Sequence, residues 1–387
     1  MDIAKVRAEL PVTKNLIYMN TGWSGPSPVR VTRRIQEQLT YEMERGPATL
    51  DALARSRAVH EELSKAVGGL LNAPPETIAL TQSTTNGLVT VVNGMDWFPG
   101  DEIVTCSLEH PSVMLPSLML QRSHGVRVRI AELDPKDDKA TLLAKLEALM
   151  SARTRLVFLS HIEFTCGLRL PAKEIAEIAH RWGAYLLLDG AQCGGHIALD
   201  MQAMDCDFYA IPGHKWLLGP DGTGALYIRK ELIPSIKPRY PAHGAVEEFD
   251  VHTGVVKLNV THPRKFRLST TSTALEAGMA EAIAFHMEQG SAAIEARGMA
   301  LATLMKQTLR GFPGVTLTGP ERPETGCSLV SFAVAGREPR QLVEMLWGRG
   351  IAARQVQTPA ATRMCTAFYN TEEEVAQVCA VIGELVR

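Results

Sequence analysis

Ala184-Tyr185-Leu186-Leu187-Leu188-Asp189-Gly190-Ala191-Gln192, followed by Ile211-Pro212-Gly213-His214-Lys215-Trp216-Leu217-Leu218, is the part of the chain that decides its fold. The run from Ala184 to Leu188 lacks polar alternation. It therefore reads as a strand buried on both faces, the condition of a parallel sheet covered by helices. The strand stops at a carboxylate followed by glycine. Open α/β sheets place their ligands at strand carboxyl ends, although Asp-Gly is also a common turn pair. Residues 208–211 read as a further strand, and Lys215 lies just past its end.

Working outward, short β-rich runs alternate with helical stretches from about residue 75. Strands are predicted over 78–81, 102–106, 126–132, 156–159, 184–188, 208–211 and 224–229, with helices over 86–93, 112–124, 141–150 and 172–181. That alternation predicts an α/β fold with a largely parallel sheet and helices on both sides. Residues 240–262 are rich in Pro, Gly and His and read as a loop near a pocket entrance, with His243 and His252 as surface residues. Past residue 270 the texture changes to helices over 273–288, 293–310, 339–348 and 372–385, with strands at 315–317 and 329–334. The predicted division is a large α/β domain over 16–268 and a smaller α+β domain built from 1–15 and 269–387. No internal repeat or low-complexity tract interrupts this.

The 387 residues are ordinary in composition for a globular protein, with 45% hydrophobic and 21% charged residues. A formal net charge of −2 argues against a nucleic-acid binder working through a basic face. No run approaches the roughly 18 apolar residues of a membrane span. The charged opening from Met1 to Arg7 argues against a secretory leader, and a cytoplasmic protein is expected. Seven scattered cysteines form no CxxC pair and no metal-ligand spacing, so reduced, mostly buried thiols are expected.

The chemistry lies in the pairing of Asp189 with Lys215. A lysine between Pro-Gly and Trp-Leu-Leu sits in desolvated surroundings, where its amine can lose a proton near neutral pH and attack an aldehyde. A carboxylate nearby can hold a pyridine nitrogen protonated. Together they supply what pyridoxal 5′-phosphate (PLP) needs: a Schiff-base lysine and a partner for its ring. Thr81-Gln82-Ser83-Thr84-Thr85-Asn86-Gly87 follows a strand and opens a helix, where hydroxyls and free N–H groups suit a phosphate. The same residues would also serve as plain N-caps.

These motifs, in this order, resemble the class V aminotransferase family, the group of cysteine desulfurases, selenocysteine lyases and isopenicillin N epimerase-like proteins. The resemblance runs from Tyr18-Met19-Asn20 to Phe368-Tyr369-Asn370-Thr371, with Asp189-Gly190-Ala191-Gln192 and Gly213-His214-Lys215 as its core. It implies a PLP-dependent fold of type I with a mostly parallel seven-stranded sheet. It implies Lys215 as Schiff-base lysine and α-proton shuttle, Asp189 on the pyridine nitrogen, Gln192 on the ring hydroxyl and His110 stacked on the ring. Thr84, Thr85 and His214 match phosphate contacts. Thr270, in Ser269-Thr270-Thr271-Ser272, matches a threonine that reaches the neighbouring subunit's phosphate, so a homodimer with shared active sites is implied. Arg363 matches the arginine that grips the substrate carboxylate, with Arg354 assisting.

Three departures from the family pattern stand out. Pro212 replaces a serine before Gly-His-Lys, removing a hydroxyl and an N–H from the phosphate site. Phe164 takes the place of an asparagine near the ring hydroxyl. The loop before Arg363 carries Pro359 about where desulfurases carry their catalytic cysteine, and Cys365 reads as a core residue. A persulfide-forming desulfurase is therefore disfavoured. The expected activity is at the α-carbon of an α-amino acid, with class V transamination first and a C–S lyase or epimerase second. A non-catalytic PLP-binding protein is the distant remaining class.

Overall fold

A computed structural model of the chain describes residues 1–386. In chain order its strands are β1 (Ile17–Tyr18), β2 (Ile78–Thr81), β3 (Glu102–Cys106), β4 (Arg127–Ala131), β5 (Thr154–Ser160), β6 (Tyr185–Asp189), β7 (Phe208–Pro212) and β8 (Gly224–Ile228). There follow β9 (Val246–Asp250), β10 (Val255–Leu258), β11 (Val315–Leu317), β12 (Leu329–Val334), β13 (Ile351–Ala352), β14 (Arg354–Gln357) and β15 (Ala360–Cys365). The central sheet has seven strands in the order β2-β8-β7-β6-β5-β3-β4. Pairings are parallel from β4 through β7, and β8 alone runs against its neighbours.

The apolar run of β6 serves both faces, as a doubly covered strand must. Leu186 and Leu188 pack with Val157, Leu159, Tyr209 and Ile211 on one side. Leu187 points the other way, to Ile103, Phe158, Phe208 and Leu226, under the helix Thr84–Gly94. The period of two along each strand thus divides the core into two layers. The carboxyl ends of β3, β5, β6 and β7 all open on the same edge, and the loops that follow them carry the chemistry.

A second sheet, β11-β12-β15-β14, is antiparallel throughout. Its core joins Val330, Phe332 and Met364 to the helices Ser291–Arg310, Pro339–Trp347 and Glu372–Leu385. The opening segment is shared between the two cores. Val6 and Leu10 belong to the large cluster, while Ile17 and Met19 join the smaller one, where β1 pairs with β13.

Several expectations need correction. Two long helices, Val29–Arg45 and Leu50–Leu71, precede the first strand of the sheet and pack on Thr273–Gln289; they had no assignment in the sequence. Residues 240–262 are not simply a loop, since β9 and β10 form a hairpin whose outer face exposes Phe249 and Val256. The stretch before Arg363 is also a hairpin, β14–β15, with Thr358 and Pro359 at its tip. Alternation was hidden there because β14 reads Arg-Gln-Val-Gln, a polar edge strand with one inward valine. No helix among the described residues is long and apolar enough to cross a membrane.

Candidate active site

Asp189 ends β6 and Lys215 follows β7, so the parallel pairing of these strands brings the two together. Asp189 is buried and its Oδ1 accepts from the Ala191 N–H at 2.8 Å. Burial raises the proton affinity of this carboxyl, and the Lys215 charge opposes the rise. Burial pushes the Lys215 amine down to about 8, against the pull of Asp189. Such a lysine keeps a reactive neutral fraction at pH 7.

The loop around Lys215 is held by the opening segment. The Gly25 N–H donates to the His214 carbonyl at 2.7 Å, and a Cβ on Gly25 would stand 2.1 Å from the Lys215 carbonyl oxygen. Only a glycine permits that approach. The tail of the same turn fixes Gln192, whose Nε2 donates to the Gly22 carbonyl at 2.8 Å while its Oε1 accepts from Trp216 Nε1 at 2.8 Å. Of the amide's two N–H groups, the second stays free of that pairing. Trp216 is in turn stacked on His196, with ring centroids 3.7 Å apart.

His110 precedes the helix Pro111–His124 and caps it, its Nδ1 accepting from the Ser112 N–H at 3.1 Å. That bond leaves the ring's proton on Nε2, and burial lowers its pKa to about 4, so the imidazole is neutral. Phe164 meets the ring edge-on at 4.8 Å. The Ser112 hydroxyl links His110 at 3.0 Å to the Thr85 hydroxyl at 2.7 Å. This chain ties His110 to the start of the helix Thr84–Gly94.

That helix start is the candidate anion cradle. Ser83 is its N-cap and spends its hydroxyl on the Asn86 N–H at 3.1 Å, while Thr84 opens the helix. The first N–H groups of a helix have no partner within it and favour a dianion. His214 lies half-buried, its Nδ1 3.9 Å from Asp221. Pro212 is the last residue of β7, pairing with Gly224, and contributes neither hydroxyl nor N–H.

The two arginines stand opposite each other on the hairpin, Arg354 on β14 and Arg363 on β15. Arg363 is 1% exposed; it gives one N–H to the Phe164 carbonyl at 2.6 Å, and its Nε and a second terminal nitrogen have no partner. A buried guanidinium left with two parallel donors is set to receive a carboxylate. Arg354 lies over the Trp23 ring at 4.0 Å. A cavity of about 650 Å³ opens beside it, bordered by Trp23, Glu109, Phe164, Gln355 and Gln357.

The structure therefore gathers Asp189, Lys215, His110, Gln192, Thr84, Thr85, His214, Arg354 and Arg363 around one strand edge. Thr270 is the exception. It is exposed, with a left-handed φ of 60°, although Thr271 and Ser272 border the same small cleft as Thr81 and Asn86. Sequence reasoning missed Gly22, Gly25, Ser112 and Trp216, which touch these residues from distant segments. It also missed Cys106, Glu109 and Ser160 as a group. The donors present fit PLP: an amine of low proton affinity, a buried carboxylate beside it, a helix-start cradle and an unpaired guanidinium.

The chain is similar to known proteins along nearly its whole length. The family description "Aminotransferase class-V" matches residues 17–378. A probable cysteine desulfurase of Methanothermobacter thermautotrophicus is 28% identical over 98% of this chain and 97% of its own length. One of Mycolicibacterium paratuberculosis is 30% identical over 97% of the chain, which spans only 57% of that longer protein. Among solved structures, the cystine C–S lyase C-DES with its product cysteine persulfide superposes with a TM-score of 0.90 at 28% identity, covering 97% of this chain and 99% of that one. A variant of C-DES carrying glycine covalently linked to its PLP cofactor gives 0.91 at 28% identity, over 98% and 99%. The chain belongs to the class V aminotransferase family, with the fold of its PLP-dependent members.

Proposed function

We propose that this chain is a PLP-dependent C–S lyase that cleaves the β-carbon–sulfur bond of a cysteine-derived amino acid without using a protein thiol. One observation carries the reading. The hairpin that carries Arg354 and Arg363 has Pro359 and no cysteine at its tip, and all seven cysteines are buried. The relatives' names put carbon–sulfur cleavage ahead of transamination, which the sequence had placed first; the proposal follows them.

PLP bound here supplies an electron sink for the pair left when a substrate α-proton departs. The protein's part follows from its residues. Lys215 would hold the cofactor's aldehyde through its amine, and that amine, when free, would take the substrate α-proton at Nζ. Asp189 keeps the ring nitrogen protonated. Gln192 gives its free N–H to the ring hydroxyl, neutral His110 covers the ring, and Thr84, Thr85 and His214 hold the phosphate. Arg363 takes the α-carboxylate in two parallel hydrogen bonds, which presents the α-hydrogen to Lys215. In balance, one α-proton is removed and the β-carbon–sulfur bond breaks with its pair leaving on sulfur. Water then converts the remaining three-carbon fragment to pyruvate and ammonia.

A two-fold homodimer belongs to the same proposal, with the exposed Thr270 directed at the partner's phosphate. The experiment follows products from L-cystine and S-substituted cysteines. Pyruvate and ammonia in equal amounts, retained in a Cys365→Ala variant, support the lyase. Alanine with a protein-bound persulfide would instead mean a desulfurase. Accumulation of pyridoxamine phosphate with a keto acid would mean a transaminase.

A further inference from the structure

The carboxyl ends of β3 and β5 are adjacent, and each is followed three residues later by a glutamate: Cys106 by Glu109, Ser160 by Glu163. The two glutamates and the Cys106 sulfur all lie within 4.8 Å of one another. Glu109 accepts from Ser160 at both oxygens, from the N–H at 2.7 Å and from the hydroxyl at 2.7 Å. Glu163 is fully buried; its Oε1 accepts from the Cys106 thiol at 3.2 Å, and its Oε2 has no donor. No lysine, arginine or histidine forms an ion pair with either glutamate among the described residues. Ser160 is also the register partner of Asp189, so the pair sits directly behind the aspartate.

We propose that Glu109 and Glu163 share one proton as an acid–carboxylate pair, Glu163 buried and Glu109 partly exposed at the cavity wall, and that the single negative charge they keep makes them positioning residues for protonation of the cofactor through Asp189. The location of the proton follows from the donors. Ser160 donates to both oxygens of Glu109, which favours its charged form, and Glu109 is the more exposed of the two, so Glu109 is the carboxylate. Glu163 is fully buried and its Oε2 has no hydrogen-bond partner, so it is the member of the pair that carries the proton. Two ionised carboxylates with no cation would repel each other in a desolvated site. Burial and mutual repulsion push the Glu163 carboxyl well above its usual range; burial raises Glu109 as well, but there the two hydrogen bonds from Ser160 favour the charged form and oppose the rise. The titratable groups facing the pair are Cys106 from β3, Asp189 from β6 and Cys166 from the turn after Glu163. Both thiols are pushed up by burial and stay neutral. Asp189 and the pair therefore present adjacent negative charges to the ring nitrogen and to the nitrogen on Lys215, and both sites gain proton affinity.

The inference rests on the reading of Lys215 and Asp189 as cofactor residues, and the experiment separates the two. The holoprotein's visible band, removable by borohydride, is titrated against pH in the wild type, Glu109→Gln and Glu163→Gln. Glu163→Gln leaves the net charge of the pair unchanged, so its midpoint stays within a few tenths of a unit of the wild type. Glu109→Gln removes the charge and lowers the midpoint by about one pH unit, the effect of one charge at an effective dielectric near 20. Equal shifts in both variants, a shift in Glu163→Gln alone, or none in Glu109→Gln overturns the proposal. Infrared spectroscopy of the apoprotein at pH 7 supplies a second readout, independent of the cofactor. It should show a protonated-carboxyl stretch that Glu163→Gln removes, and its absence overturns the proposal even if the Glu109 variant does not fold. One equivalent of bound divalent cation in the wild type would also overturn it, because the three ligands would then hold a metal in place of a proton. A wild type with no reducible band would sink the cofactor reading, while the infrared result would still judge the pair.

Discussion

Replacing Arg363 by lysine keeps the charge and removes the planar fork, which makes it a sharp test of substrate orientation. The guanidinium is 1% exposed, and its two unpartnered nitrogens are the ones proposed to meet the substrate carboxylate. A hydrogen bond between charged groups contributes about 1.5–3 kcal/mol. A lysine ammonium on a shorter, more mobile stem keeps one such bond at best. Losing the other raises the barrier by about 1.5–3 kcal/mol, and each 1.36 kcal/mol is about tenfold in rate. The expected result for Arg363→Lys is a fall in kcat/KM of about 10- to 150-fold, seen in continuous pyruvate formation from L-cystine. KM should rise and the borohydride-sensitive band should be intact, because Arg363 does not hold the cofactor. A kcat/KM within threefold of the wild type would refute the reasoning, as would loss of the visible band. The bond from Arg363 to the Phe164 carbonyl is a built-in control. If its loss alone mattered, the variant would melt at a lower temperature and kcat/KM would recover on cooling.

Uptake of PLP by the apoprotein should accelerate about tenfold per pH unit below about 8 and level off above it, because the neutral amine of Lys215 is the reacting form and its pKa is pushed down to about 8. Rapid-mixing absorbance measures this, and a midpoint near that of a free lysine would contradict the desolvated placement. Gly25→Ala should lower the melting temperature and weaken PLP retention on dialysis, since its Cβ would collide with the Lys215 carbonyl and overpacking costs about 1–3 kcal/mol. A variant with wild-type stability and retention would mean that the opening turn does not brace the lysine loop.

The contrast between elements shows where sequence reading works. Strand β6 was legible because three consecutive leucines need apolar cover on both faces, and such a strand has few other places to go. The helix Thr84–Gly94 was legible for the same kind of reason, from hydroxyl residues opening an apolar run. The hairpin β14–β15 was not, because a polar edge strand has no apolar alternation, and Pro359 suggested a loop. The helices Val29–Arg45 and Leu50–Leu71 were passed over because no strand flanked them to set the alternation.

By itself the sequence determined the candidate site residues, the strand–helix alternation from about residue 75 onward and the proline that stands before Arg363. Those are properties of residue type and of spacing along the chain, set by local periodicity and by the chemistry of each side chain. Only the tertiary structure decided which groups meet. Residues 20–25 reach the Lys215 loop, Ser112 bridges His110 to Thr85, and Glu109 and Glu163 come together behind Asp189, across separations of tens to hundreds of residues. Such contacts have no local signal, because strand pairing order and side-chain direction are set by global packing. The burial that shifts the protons of Lys215, His110 and Glu163 is likewise a property of that packing.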